Sequence, residues 1–424
     1  MGYRKAMSVI CVCAITCDCY PADPVVRRTA EAAARAGYGY HVICSMDNGQ
    51  PEHEVFNGIH IHRIRIRGTG GKLLGRITAM PLGATLALWT LFASLALVRV
   101  ARLHLKYKFD VVHVHNLPDF LVFAALIPRL RGARVILHVQ DVAPELMAVK
   151  AKGILRRIAV QLAKWQERLS TAFADHVLTA GGLFETVLLK RGVPAKKLSS
   201  ILNSADPSIF PEQKRTQLFL GPATAHRPLI LMYHGTHSER FGLDVAIRAF
   251  AKARRVAPHL RLHLKGAGEA VPALKQLAQT LDVANEVVFL PSGPIDEVAD
   301  FVARGDIGII PYRSNVFMDL ALPTKAYEYA LMRRPMIASA TLAIRSMFRP
   351  GSIRLCEPSN VDSFAEAIID LYNDPQQRAQ LVAAAEDDYA NYRWELMAER
   401  YCGLLASMVR KEPQRSRVEV IERG

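Results

Sequence analysis

Short apolar runs and longer amphipathic stretches alternate along the whole chain. In the first half, SVICVCAIT, YHVICSM, IHIHRIRI, DVVHVHN, RVILHVQ, HVLTA and LSSILN have the length and β-branched content of strands. Between them lie helical patterns such as VVRRTAEAAARAG, with Gly37 as its stop. In the second half the strand candidates are LILMYHG, LRLHLKG, VVFLP, IGIIPY, PMIASA and IRLCEP, separated by stretches such as LDVAIRAFAKARRV. Apolar strands alternating with helices predict parallel sheets covered on both faces. Two sets of similar size predict an α/β chain of two doubly wound, Rossmann-like domains. The break falls over residues 206–227, where Pro207, Pro211, Gly221 and Pro222 leave no sustained period. The domains are then 1–205 and 206–391. Ligands bind such sheets at the carboxyl ends of the strands, so two facing sheets predict a site in a cleft.

One stretch departs from this alternation. Residues 77–98 carry no charge, with Lys72 and Arg76 before them and Arg99, Arg102, Lys106 and Lys108 after. The run is long enough to span a bilayer. It lies, however, between IHIHRIRI and DVVHVHN, which belong to one sheet, and a single crossing would divide that sheet across the membrane. Pro81 and Gly83 also interrupt its first turns. Leu86, Leu88, Trp89, Leu91, Phe92, Leu95 and Leu97 point in most directions around a helix. Two readings stay open: a helix packed on the first domain and dipping into the bilayer surface, its cations on anionic lipid, or a fully buried helix or subunit interface.

Half of the 424 residues are apolar, enough for full cores, and the formal net charge is +15. Such a charge predicts an anionic partner. It is scattered, with no Lys/Arg block and no helix-turn-helix, zinc-finger or ribonucleoprotein signature, so no nucleic-acid partner is expected. Of seven cysteines, Cys11, Cys13, Cys17 and Cys19 are close in sequence but lack the Cys-x2-Cys spacing of zinc sites, and two sit in a strand-like apolar run. No metal and no cofactor are expected. An odd cysteine count without a signal-peptide pattern predicts a reducing, cytoplasmic compartment.

Polar groups gather where the predicted strands end. In DVVHVHNLPDF, alternation puts His113 and His115 on one side of a strand, with His115 nearer its carboxyl end and at the cleft edge, where a neutral imidazole can position a sugar or reacting group. ILHVQDVAPELM ends in His138, Gln140, Asp141 and Glu145; Asp141 either caps the next helix or accepts from acceptor hydroxyls. LILMYHGTHSERFGLD turns at Gly235 and offers backbone N–H groups and Arg240 to a diphosphate. LRLHLKGAGEA adds Lys265 and two glycines. In LPTKAYEYALMRRPMIAS, Pro323 and Thr324 open a helix whose N-terminus favours phosphate. Lys325 adds a point charge there, and Glu328, one turn on, can accept from a ribose diol.

These stretches together resemble the retaining glycosyltransferases of family 4, over nearly the whole chain. DVVHVHNLPDF and ILHVQDVAPEL resemble the paired motifs of that family's first domain, GTHSERFGLDVAIRAF its first donor-domain unit, and LPTKAYEYALMRRPMIAS its donor-ribose motif in the bacterial exopolysaccharide version. The late RWELMAERY resembles the helix that crosses back to the first domain, placing it at about residues 392–411 ahead of a basic tail, 412–424. The resemblance implies the GT-B fold, with His115 and Asp319 as catalytic residues. It implies Gly235, Arg240, Lys265, Thr324, Lys325 and Glu328 at the donor, and Asp23 and Asp141 at the acceptor. The chain departs from the family at three places. The first Glu of the usual Glu-x7-Glu pair falls on Leu320, with Asp319 beside it. The Arg and Lys of the donor loop fall on Thr236 and Phe241, with Arg240 nearest. CDCYPADP stands where a Gly-Gly acceptor loop is usual.

The implied activity is metal-independent transfer of a hexose from a UDP- or GDP-sugar to a lipid-linked or saccharide acceptor, with retention, in cell-surface polysaccharide synthesis at the cytoplasmic face of the inner membrane. A nucleotide-sugar 2-epimerase of the same fold and a non-catalytic membrane-associated partner subunit are the alternatives. Leu320, Thr236 and Phe241 favour the second of these.

Overall fold

The computed structural model describes residues 9–47, 49–66, 82–151, 153–294 and 296–409. Its first sheet contains β1 (Cys11–Ile15), β2 (Gly39–Ser45), β3 (His53–Phe56), β4 (Ile59–Ile64), β5 (Val111–His115), β6 (Arg134–Val139), β7 (His176–Thr179) and β8 (Leu198–Ser200). The order is β3-β4-β2-β1-β5-β6-β7-β8. The helices along this part are α1 (Pro24–Arg35), α2 (Leu82–Tyr107), α3 (Leu126–Leu130), α4 (Ala143–Lys150), α5 (Gly153–Phe173) and α6 (Gly182–Lys190). The second sheet contains β9 (Leu229–His234), β10 (Leu260–Lys265), β11 (Val287–Leu290), β12 (Ile307–Ile310), β13 (Met336–Ser339) and β14 (Arg354–Cys356), in the order β11-β10-β9-β12-β13-β14. Its helices are α7 (Leu243–Arg254), α8 (Val271–Thr280), α9 (Asp296–Arg304), α10 (Thr324–Leu331), α11 (Leu342–Met347), α12 (Val361–Asn373) and α13 (Pro375–Tyr389), with α14 (Trp394–Val409) after them. Every residue of β5, β12 and β13 is buried, as both faces of a parallel sheet under helices require.

The described residues form two compact units. One takes in the chain up to His138 with Leu169–Val177 and the part from Ala398 on; the other takes in Val139–Arg168 and Leu178–Met397. In the first unit, α14 is tied down by a hydrogen bond between Tyr401 and Tyr40 hydroxyls (2.9 Å) and by Tyr38 donating to the Cys402 carbonyl (3.2 Å). Asp23 caps α1, accepting from the Val25 and Val26 amides at 2.8 and 3.3 Å, and Pro24 supplies the first helical residue.

The hydrophobic pattern missed β3, which pairs antiparallel with β4. Asn57 (φ 49°) and Gly58 (φ 77°) join them, both in the left-handed region that a two-residue hairpin turn demands. The Asn-Gly pair was the readable signal. His53, Glu54 and Val55 are exposed, so β3 carries no core pattern.

Helix α2 is not fully buried, which corrects that reading. Phe92, Ala96 and Val100 face the interior, while Leu91 (46% exposed), Leu95, Val98 and Leu105 are open to solvent; Leu88 is half-buried. Lys72, Arg76, Pro81 and the start of the uncharged run lie outside the described residues, as does the tail 412–424.

Candidate functional site

In the second unit the site is built at the carboxyl ends of β9 and β10. β9 ends at His234 and turns at Gly235 (φ 120°); β10 ends at Lys265 and turns at Gly266 (φ 149°). A Cβ on Gly266 would stand 1.9 Å from the Gly235 carbonyl oxygen, so only glycine lets these two turns touch. After Gly235 the chain runs through a 3-10 turn at Glu239–Phe241 into α7. Pro323 is the N-cap of α10 and gives the helix's first N–H groups no side-chain bond.

Lys325, in the first turn of α10, is 7% exposed. Its Nζ donates to the Tyr312 hydroxyl at 2.6 Å, and lies 4.9 Å from the ring centres of Tyr233 and Tyr312 and 5.8 Å from that of Phe241. A Cβ on Gly235 would be 3.7 Å from this ammonium, which places it directly at the β9 turn. No Asp or Glu oxygen among the described residues comes within 4.0 Å of it. The cation that family resemblance places at position 241 thus reaches the Phe241 ring from Lys325.

Glu328, one turn further along α10, accepts from His234 Nε2 at 2.5 Å, and His234 Nδ1 faces the Tyr329 hydroxyl at 3.3 Å. Thr324 and Glu328 are half-buried. Gly235, Lys325 and Glu328 therefore meet around the end of β9. Of the other expected site residues, Lys265 and Asp319 bond to neighbours. Lys265 donates to Glu297 at 3.0 Å. Asp319 accepts from Ser314 Oγ at 2.8 Å, and the half-buried Leu320 follows it. Arg240 is half-buried with its guanidinium 4.8 Å from the Phe241 ring.

Asp141 does not cap α4, which corrects the capping reading: the N-cap is Val142, with no side-chain bond. Burial raises the Asp141 carboxyl, and the positive charges of Arg240 and Lys150 oppose that rise. Glu145 is held by Arg191, which also donates to Glu167 at 2.6 Å, so it serves the packing of α4, α5 and α6. Asp23 is spent on the α1 amides, and burial raises its carboxyl against them.

In the first unit, alternation does place His113 and His115 on one side of β5, and His115 pairs in register with His138 of β6. The ring centres lie 4.2 Å (His113–His115), 5.1 Å (His115–His138) and 5.4 Å (His113–His138) apart. His113 Nδ1 shares a hydrogen bond of 2.8 Å with the Tyr401 hydroxyl. His115, the last residue of β5, is only 1% exposed. Burial first, and the neighbouring imidazoles second, hold His113 and His115 well below the usual histidine range; burial and Arg28 bring His138 down to about 3. All three are neutral at pH 7. Their nitrogens all lie within 4.8 Å, the one grouping among the described residues with the reach to hold a metal ion. Cys13 and Cys17 are buried, and burial raises their thiols far above the reactive range. Sequence reasoning missed the Tyr233, Phe241 and Tyr312 cage, the His234 partner of Glu328, and the Tyr401 contact.

Residues 22–203 match the family described as "Glycosyl transferase 4-like domain" and residues 216–388 the family described as "Glycosyl transferases group 1". Among solved structures, the chain is similar to sucrose-phosphate synthase from Thermosynechococcus elongatus, with a TM-score of 0.73, 18% identity, and coverage of 94% of this chain and 99% of that one. It is also similar to the Anabaena protein HepE solved with UDP and glucose, with a TM-score of 0.67, 15% identity, and coverage of 94% and 100%. Among curated relatives it is 24% identical to D-inositol 3-phosphate glycosyltransferase 1 of Catenulispora acidiphila, over 71% of this chain and 73% of that protein. It is 29% identical to the GDP-mannose-dependent monoacylated alpha-(1-6)-phosphatidylinositol monomannoside mannosyltransferase of Corynebacterium glutamicum, over 40% of this chain and 44% of that protein, so this match spans less than half of the relative's length. With two parallel-sheet α/β domains and both halves matched, the chain belongs to the retaining glycosyltransferases of family 4, with the GT-B fold.

Proposed function

We propose that the protein transfers a hexose from a UDP- or GDP-sugar to a lipid-linked or saccharide acceptor, with retention, in cell-surface polysaccharide synthesis. The carrying observation is Lys325: a buried ammonium with no carboxylate partner among the described residues, at the first turn of a helix whose N-cap, Pro323, gives no side-chain bond. Removing such a charge from water costs several kcal/mol, more than one hydroxyl and a set of ring faces return. A diphosphate at the Gly235 turn would supply the missing negative charge and gain the helix dipole. Glu328, one helical turn from Lys325, is then placed to accept from a ribose diol, and His234 orients it. As the bond between the anomeric carbon and the diphosphate oxygen breaks, its electron pair leaves with the diphosphate, the acceptor hydroxyl oxygen bonds to that carbon, and the hydroxyl proton passes to the departing diphosphate. Lys325, Arg240 and the α10 amides stabilise that growing charge without a metal. Asp319 and the neutral His115 are assigned to the reacting sugar and Asp141 to the acceptor, while Asp23 holds the start of α1.

The lipid-linked acceptor is supported by the Corynebacterium glutamicum relative, named as a mannosyltransferase of a phosphatidylinositol monomannoside, and by the exposed apolar face of α2. α2 lies between β4 and β5 of a single sheet, so we assign it to the membrane surface on the cytoplasmic side rather than across it. A panel of UDP- and GDP-hexoses, read by release of free nucleotide with and without a membrane-lipid extract, tests the activity. Stimulated release from one donor is expected. A folded protein that turns over none of them would return the chain to the partner-subunit reading.

A further inference from the structure

Helix α5 carries an apolar stripe that no described residue covers. Ile158, Leu162 (63% exposed), Trp165 (64% exposed) and Leu169 are all open to solvent. At about 100° per residue these four fall within about 60° of one another, one narrow line along the helix. The buried face, with Ala163, Glu167 and Ser170, lies about 130° away. The stripe is therefore not the edge of the face that packs on the core.

Charge identifies the occupant. Arg157, Lys164 and Arg168 form a second exposed line about 110° to the other side of the stripe, and Arg156 is exposed as well. The one acidic residue of α5, Glu167, is buried and bonded to Arg191. The solvent-facing charge of this helix is thus wholly positive, on a chain of net charge +15. A partner protein that buried the stripe would have to carry a matching acidic ridge, and a second copy of this helix would oppose cations to cations. An anionic bilayer meets both demands at once: the apolar line enters the acyl boundary, tryptophan takes the interfacial position it prefers, and the long cationic side chains reach back to the headgroups. We propose that α5 is a second docking surface of this protein, for the anionic lipid of a membrane, separate from α2. This extends the membrane reading above and is independent of the sugar chemistry.

The test uses the full-length protein with sedimenting vesicles of phosphatidylcholine alone or with phosphatidylglycerol. The wild type should partition to the anionic vesicles at least about tenfold better than to neutral ones, and the preference should fall with salt. Leu162→Gln with Trp165→Gln should lose about tenfold or more of that partitioning while keeping the thermal transition, since both positions are exposed. Arg157→Glu with Lys164→Glu should abolish the preference for anionic vesicles and cannot act through core packing. Leu91→Gln with Leu95→Gln on α2, measured in parallel, separates the two surfaces: loss only with the α2 pair leaves the membrane reading standing and overturns the role of α5. Unchanged partitioning of both α5 variants overturns the proposal. So does a wild-type dimer that the α5 variants convert to monomer with no change in vesicle binding, because the stripe would then be a subunit interface.

Discussion

Lys325 and Glu328 were legible because they are local: Pro323 fixes where α10 begins, and both residues follow within its first turns. The cage was not legible, since Tyr233, Phe241 and Tyr312 come from separate segments and meet only when β9 and its following turns are packed. Asp141 misled for a related reason. It precedes a helix with Pro144 near its start, but the cap shifted one residue to Val142. If Lys325 meets the leaving diphosphate, Lys325→Ala should lower turnover on the order of a hundredfold while changing the affinity for the free nucleoside little. Arg240→Ala should act in the same sense. Steady-state kinetics beside nucleoside titration checks both, and wild-type turnover in the two variants would move the phosphate site elsewhere. His115→Ala should nearly abolish transfer and leave donor affinity almost unchanged; near-normal transfer would make His115 part of the packing around His113, His138 and Tyr401.

At the scale of elements, apolar runs announced the parallel strands because both faces of such strands are covered. β3 escaped for the opposite reason: an edge strand with exposed His53, Glu54 and Val55 buries too little to show a pattern, and only the Asn57-Gly58 turn betrayed it. The uncharged helix could be recognised but not resolved into faces until packing showed Phe92, Ala96 and Val100 inward and Leu91, Leu95 and Val98 outward. Leu91→Gln with Leu95→Gln should therefore cut membrane sedimentation without lowering the melting temperature. Each exposed leucine buried in lipid is worth roughly 1.5–3 kcal/mol, so the loss should be easy to see. A stable double variant that still sediments fully would refute this face.

For the whole molecule, two Rossmann-like sheets followed from repetition of the strand-helix unit; alternation put His113 and His115 on one side of β5, but the burial of the first sheet's histidines followed from nothing local. Burial, then neighbouring His60 and Lys106, lowers His41 to about 4, and burial with His41, His53 and Arg99 lowers His62 to about 3. His138 falls to about 3, and His113 and His115 shift the same way. A folded-state value below the unfolded one, near 6.5, means the unfolded chain takes up protons that the folded chain refuses. Stability should be highest above pH 7 and decline as pH falls through 6.5 toward 4, so urea midpoints at pH 8, 6 and 5 should fall in that order; flat midpoints would mean these imidazoles are solvated. The assignment of the nucleotide-diphosphate site to the end of β9 is tested most directly by calorimetric titration of UDP and GDP into the wild type and Glu328→Ala. The ribose diol should lose a charge-assisted bond worth roughly 1.5–3 kcal/mol, so the preferred nucleotide should bind the folded variant about tenfold to a hundredfold more weakly. Equal affinity in the two proteins would contradict the site.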